Sequence, residues 1–200
     1  MFPTGLVAGS GWASGLNLWA VVAALGIAGR AGWADTPAPL QHLPVLIVAV
    51  LLYAAEFVID KIPYVDSMWD IINTAVRPVG AGVLAIALTP HASWSHQLGA
   101  VIGSSGAALT SHSAKASLRA LINVSPEPVS NILASVGEDG IAFSVVGLAL
   151  AHPRVAFVVT IVAAFACIGV VWVVARTLKR LGRRLRESIR FRRPMMNAAR

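Results

Sequence analysis

Charge is what this sequence has least of. Asp, Glu, Lys and Arg make up 12% of its 200 residues, about half of the roughly 25% usual in soluble domains. It has a single cysteine, Cys167, which excludes a disulfide scaffold. There is no HExxH, no CxxC, no Walker loop and no Rossmann fingerprint, so neither a metal centre nor a cofactor is expected. The N-terminal Met1-Phe2-Pro3-Thr4 lacks a basic region, so no secretory leader is expected and insertion would rely on internal segments. What the chain does have is apolar mass: 56% hydrophobic residues and a mean hydropathy of +0.72. That excludes intrinsic disorder, and the length allows one domain.

The formal net charge of +7 divides unevenly. Residues 176–200 hold ten basic residues and one acid, a balance of +9. Residues 1–175 hold six basic and eight acidic residues, a balance of −2. The body therefore has no basic face for nucleic acid. The chain reads as a membrane domain, 1–175, and a basic tail, 176–200. In the tail, Leu178, Leu181, Leu185 and Ile189 fall on one helix face. Lys179, Arg180, Arg183, Arg184, Arg186 and Arg190 lie around them. This is an amphipathic helix suited to anionic lipid headgroups. By the positive-inside rule the tail places the C-terminus in the cytoplasm.

A spanning helix needs about 20 mostly apolar residues. Val155–Ala175 and Gly5–Gly29 carry no charge, and a third segment runs from Pro44 to about Ile62. From Pro78 to Ala114 no charged residue occurs. Pro90 and the polar cluster 91–96 divide that run into helices over about 72–89 and 95–122. The spacing predicts an all-α, polytopic bundle of four to six spans. Segments 64–89 and 126–151 are candidates for broken or re-entrant helices, because Arg77-Pro78-Val79-Gly80 and Gly137-Glu138-Asp139-Gly140 interrupt them. Ser67 with Asp70 resembles a capping box, and Ser125-Pro126 reads as a helix start. Gly9-Ser10-Gly11-Trp12-Ala13 resembles Gly103-Ser104-Ser105-Gly106-Ala107, and 73–88 resembles 133–150. An inverted repeat would produce this; so would the shared composition of small-residue membrane helices, which is the simpler reading. Trp33, Trp94, Tyr53 and Tyr64 are candidate interfacial anchors.

Two stretches carry the chemistry of the body. In the first, Glu56 and Asp60 share a helix face and are followed by Lys61, Asp66, Asp70 and Arg77. In the second, His112, Lys115 and Arg119 share a face and are followed by Asn123, Glu127 and Asn131. A charge at the bilayer centre costs roughly 2.5–3.5 kcal/mol on insertion scales. The two stripes are complementary, so Glu56 and Asp60 are expected to pair with Lys115 and Arg119. Glu138 and Asp139 stand at the second interruption.

At these residues the chain resembles the bacterial membrane family catalogued as domain of unknown function 4126. One signature is Glu56-x-x-x-Asp60-Lys61-Ile62-Pro63-x-Val65-Asp66-Ser67-x-Trp69-Asp70 with Arg77-Pro78-x-Gly80. The other is His112-x-x-Lys115-Ala116-x-x-Arg119 with Asn123-x-Ser125-Pro126-Glu127-Pro128-x-Ser130-Asn131. The resemblance covers about residues 5–175. It implies a multi-pass membrane protein of one domain and implies no activity.

Intramembrane ionisable residues are candidates for function by default. Glu56, Asp60, Lys61, Asp66, Asp70, Arg77, His112, Lys115, Arg119, Asn123, Glu127, Asn131, Glu138 and Asp139 therefore form the expected pathway for a small solute or ion. His112 is its pH-sensitive member. A salt-bridge network that fixes helix register in a membrane scaffold remains the alternative. No catalytic residue is assigned. Gly103-Ser104-Ser105-Gly106 fits the short pattern of intramembrane serine proteases, but His112 shares the helix of Ser105 and cannot form a dyad with it. A lipid-modifying enzyme using Glu56, Asp60, Asp66 and Asp70 is the weaker reading. The expected partners are the lipid bilayer and its anionic headgroups, with no nucleic acid and with a homo-oligomer left open.

Overall fold

A computed structural model describes residues 3–124 and 128–198, with side chains left undescribed at 128, 181 and 184–198. Seven helices make up the described chain: α1 (Thr4–Arg30), α2 (Ala38–Gln41), α3 (Leu43–Ile59), α4 (Val65–Leu88), α5 (Trp94–Ile122), α6 (Pro128–Ala151) and α7 (Pro153–Ala198). No strand occurs among the described residues. Among the described residues four helical segments are long and apolar enough to cross a membrane: Thr4–Arg30, Val65–Leu88, Val129–Ala151 and Pro153–Arg180. α3 is a shorter apolar helix.

The helices after α2 alternate in direction. Ser104 Oγ on α5 donates to the Ala81 carbonyl on α4, and further along His112 reaches Thr74, so these two run antiparallel. The end of the bundle holding the turn between α4 and α5 is called upper below. α6 rises from Asn131, beside Arg119, to its upper end, where Ala149 packs on Gly9. α7 then descends and continues without interruption into the tail.

α1 departs from the expected uncharged span over Gly5–Gly29. At Asn17 its backbone becomes extended, with φ −155° and ψ 101°. Pro3 and Leu6, at its beginning, border one cavity together with Thr36, Pro37 and Gln41, which follow its end. Both ends therefore lie at the upper end of the bundle, and α1 is a hairpin of two half-helices with Asn17 at the tip. At 1.5 Å per residue each half is about 20 Å long, so the tip lies past the middle of a hydrocarbon core about 30 Å thick. Such a break is stable only where protein satisfies the freed backbone groups. Asn17 Oδ1 accepts from the Ala20 amide at 3.0 Å, which caps the second half-helix. The last carbonyls of the first half, Gly15 and Leu16, accept from Arg77 and Lys115 at 2.8 and 3.2 Å. Cations there also complement the helix dipole.

The two candidate segments for broken or re-entrant helices are single helices, α4 and α6, over their described residues. α4 passes through Pro78 and α6 through Gly137–Gly140. Proline and glycine suggested the interruptions, but the charges beside them, Arg77, Glu138 and Asp139, are held by neighbouring helices and keep both backbones helical. The resemblance of 9–13 to 103–107 also gains a physical cause. The two segments run side by side: a Cβ on Gly11 would strike Ser104, and one on Gly15 would strike the Ala108 carbonyl and the Ser111 hydroxyl. Small residues on both helices allow this close approach.

The buried faces of α4 and α5 change character along their length. On α4 it reads Asp66, Asp70, Asn73, Arg77 and then Ala81, Leu84, Ala85, Leu88. On α5 it reads Ala100, Ser104, Ala108 and then Ser111, His112, Lys115, Arg119. The upper half of the core is apolar or small and the lower half is charged. The tip of α1 marks the boundary. At the upper end Trp33 and Trp94 are 79% and 77% exposed, and at the lower end Tyr64 is 59% exposed. These three occupy the rims, as expected of interfacial anchors. Tyr53 instead packs edge-on against Phe143.

Candidate functional site

Three cations organise the lower core. Arg77 pairs with Glu56 through Nη2 and Oε1, and neither side chain has any solvent exposure. Its Nη1 also donates to His112 Nδ1 at 2.9 Å and lies 3.7 Å from Asp70 Oδ1. Lys115 Nζ lies 2.5 Å from Asp60 Oδ2, 3.4 Å from Glu138 Oε2 and 3.9 Å from Glu56 Oε1. Arg119 grips Glu138 with two parallel bonds, Nε to Oε1 at 3.2 Å and Nη2 to Oε2 at 2.7 Å. This fork-to-fork geometry is the strong form of a charged hydrogen bond. Arg119 Nη1 donates to the Asp60 carbonyl at 2.8 Å and lies 3.7 Å from Asp66 Oδ2.

The expected pairing therefore holds for Asp60 with Lys115, while Glu56 turns chiefly to Arg77 of the neighbouring α4. Asn123 donates to Asp66 at 3.0 Å, and Asn131 donates to Asn123 at 3.2 Å and accepts from Arg119. Asp139 accepts from Asn17 at 3.0 Å and from Tyr53 at 3.5 Å, tying α6 and α3 to the tip of α1. Lys61 sits at the lower rim, over the Phe57 ring, and donates to the Phe57 carbonyl and Ser135. Partial burial lowers the Lys61 ammonium below its ordinary value, while Asp139 and Asp60 pull it back upward. Glu127 lies outside the described residues.

The histidine is constrained by its neighbours. A guanidinium only donates, so His112 Nδ1 must accept from Arg77. The ring is then neutral with its proton on Nε2, which faces the Asp70 carbonyl at 3.1 Å and Thr74 Oγ1 at 3.1 Å.

The charges do not balance. Glu56, Asp60, Asp66, Asp70, Glu138 and Asp139 make six carboxyls facing Arg77, Lys115 and Arg119, with Lys61 at the edge as a fourth cation. Two carboxyls are left without a compensating cation. Five of the six accept at least one hydrogen bond. Asp70, 4% exposed, accepts none at either oxygen from any described residue. Glu56 Oε2, Asp60 Oδ1, Asn73 Nδ2 and Arg77 Nε are buried without a hydrogen bond as well. No group of three or more His, Cys, Asp or Glu arranged to hold a metal occurs among the described residues.

Asn17, Tyr53 and Ser135 belong to this network, Asn73 is buried beside it, and none of the four was among the residues expected from the sequence. Asn73 and Ser135 had a readable signal. Asn73 lies three residues after Asp70 and four before Arg77, on the same face; Ser135 lies four after Asn131 and four before Asp139. Ser105 donates its hydroxyl to the Pro78 carbonyl at 2.8 Å. In the tail, Lys179, Arg180 and Arg183 are exposed, whereas the side chains of Arg184, Arg186 and Arg190 lie outside the described ones.

Above the tip, a cavity of about 810 Å3 opens at the upper end. Pro3 and Leu6 form one wall, Asp35, Thr36 and Gln41 a second, and 87–92 a third. The family model described as domain of unknown function (DUF4126) matches residues 5–174. No curated protein and no solved structure matches the chain significantly.

Proposed function

Starting from the premise that the chain belongs to the DUF4126 family, we propose that it carries a small solute or ion across a bilayer. One observation carries this reading: the broken helix α1 inserts its tip into the bundle between an open upper cavity and a charged lower core. Half-helices that meet at membrane depth, with their termini against ionisable side chains, are how many carriers build a midplane site. In this reading the solute enters at the cavity and meets the charged core at Asn17 when the close-packed seam between α1 and α5 opens. The tail lies on anionic headgroups and holds the lower end in the cytoplasm of a bacterial inner membrane, so the cavity faces away from the cytoplasm. The reading is of a carrier without catalytic machinery, supported by the engagement of Ser105 with a backbone carbonyl.

A second reading has an observation of its own. The doubly bonded Arg119–Glu138 pair and the solvent-free Arg77–Glu56 pair are what a rigid scaffold would use to fix helix register. Reconstituted proteoliposomes separate the two. A carrier gives flux or current with at least one member of a panel of small cations, anions and polar metabolites, and Glu56→Gln and Asp60→Asn abolish it. Silence across the panel, or flux indifferent to both substitutions, would favour the scaffold.

A further inference from the structure

We propose that Asp70 is a proton-binding site, holding a proton that it exchanges within the cellular pH range. Among the described residues it is the only one of the six core carboxyls that accepts no hydrogen bond, although it is 4% exposed and stands in a core with two acids too many. A buried, ionised carboxylate without hydrogen-bond donors is the most costly state this core could contain. Binding one proton removes that charge and halves the excess. The proton comes from solvent water and bonds to one carboxyl oxygen, and no other bond changes.

The surroundings favour a proton over a metal cation. A metal needs several oxygen ligands at once. One turn further along the face of α4, the unpartnered polar atoms are donors, Asn73 Nδ2 and Arg77 Nε. These repel a cation, whereas a neutral carboxyl still offers a carbonyl oxygen to a donor. His112 is unsuited to the role, because its Nδ1 is taken by Arg77 and its Nε2 faces the Asp70 carbonyl. The charged groups around Asp70 are Arg77 on α4, Lys115 on α5, Glu56 and Asp60 at the lower end of α3, and Glu138 on α6. The nearest, Arg77, gives its shortest contact to Glu56 and stays 3.7 Å from Asp70.

This assignment deepens the carrier reading by naming the ion that drives it and rests on that reading only for its purpose. Proton binding is measured without any flux. Infrared spectra of the purified protein in lipid nanodiscs should contain the C=O band of a neutral carboxylic acid. That band should shift on H/D exchange and weaken as pH rises from about 5 to about 8. Asp70→Asn should lose the band while remaining folded, because asparagine copies the neutral carboxyl in size. Asp66→Asn should keep it. Asp70→Glu should restore a band at a displaced frequency, which guards against a folding defect in the first variant. A band unchanged in Asp70→Asn, no band at any of these pH values, or a band removed by sodium at constant pH would each overturn the assignment. Failure of flux with an intact titrating band would instead overturn the carrier reading alone.

Discussion

Lys115 has three acids around it, Asp60, Glu138 and Glu56, and the structure says which of the two on the first stripe it serves. Its Nζ is 2.5 Å from Asp60 Oδ2, a hydrogen-bonded ion pair, and 3.9 Å from Glu56 Oε1, beyond hydrogen-bond reach. Glu56 is held by Arg77 instead. The perturbation is Lys115→Met, which removes the cation and keeps most of the side-chain volume. All the groups involved are at most 3% exposed. Removing one partner of a buried pair leaves a charge uncompensated and costs about 3–5 kcal/mol. Adding Asp60→Asn neutralises the stranded carboxylate, and contacting pairs couple by about 0.5–3 kcal/mol. The expected coupling is at the upper part of that range for Lys115 with Asp60 and below about 0.5 kcal/mol for Lys115 with Glu56. Arg77→Met should show the reverse preference, coupling strongly to Glu56→Gln. Reversible unfolding in mixed micelles, run as two double-mutant cycles for each cation, measures all four values. Equal coupling of Lys115 to both acids, or Lys115→Met within about 1 kcal/mol of the parent, would refute the argued division of partners.

Other expectations concern α1. On a Cys167→Ala background, Thr4→Cys and Asp35→Cys should react with an impermeant thiol reagent from one face of the membrane, and Ile62→Cys and Arg183→Cys from the other. Labelling of Thr4→Cys and Asp35→Cys from opposite faces would mean that α1 crosses. Asn17→Ala removes the cap on the Ala20 amide and the bond to Asp139; a lost cap alone costs about 1 kcal/mol, so a stability unchanged in the same micelle assay would show that the tip is not anchored. Gly15→Val should lower stability by about 1–3 kcal/mol through overpacking against Ala108 and Ser111, whereas the same change at Gly103, which faces open space, should be nearly silent.

The helical class was legible because uncharged runs of membrane length leave few alternatives, and the charged stripes were legible because Glu56 with Asp60, and His112 with Lys115 and Arg119, keep helical spacing. The hairpin was not. Gly5–Gly29 holds no proline and no charge, and although Gly9, Gly11 and Gly15 weaken a helix before Asn17, small residues of this kind serve close packing equally well and do not fix a break. What breaks it at Asn17 is the set of partners waiting there, Asp139, Arg77 and Lys115, which come from elsewhere in the chain. The converse error has the same root. Pro78 and the Gly137–Gly140 run look like interruptions locally, yet tertiary pairing of Arg77, Glu138 and Asp139 lets α4 and α6 continue through them. Arg77 as the partner of Glu56 was hidden for that reason, since a residue placed in a break is not placed on a face.

The two-toned core also constrains how the molecule is made. α5 is longer than α4, yet it is absent from the four segments apolar enough to cross by their own composition. Its lower half, carrying His112, Lys115 and Arg119, would meet lipid at a penalty if it left the translocation machinery alone. Synthesis delivers the acids first: Glu56, Asp60, Asp66 and Asp70 precede Lys115 by dozens of residues. The nascent α3–α4 pair would thus act as a receptor for a helix not yet synthesised, with α5 entering the bilayer as its ligand. Glu138 then closes over Arg119 when α6 arrives. Assembly would then be ordered by electrostatics: α5 brings the two cations that the acids of α3 and α4 lack, and α6 adds the two acids that leave the core in excess.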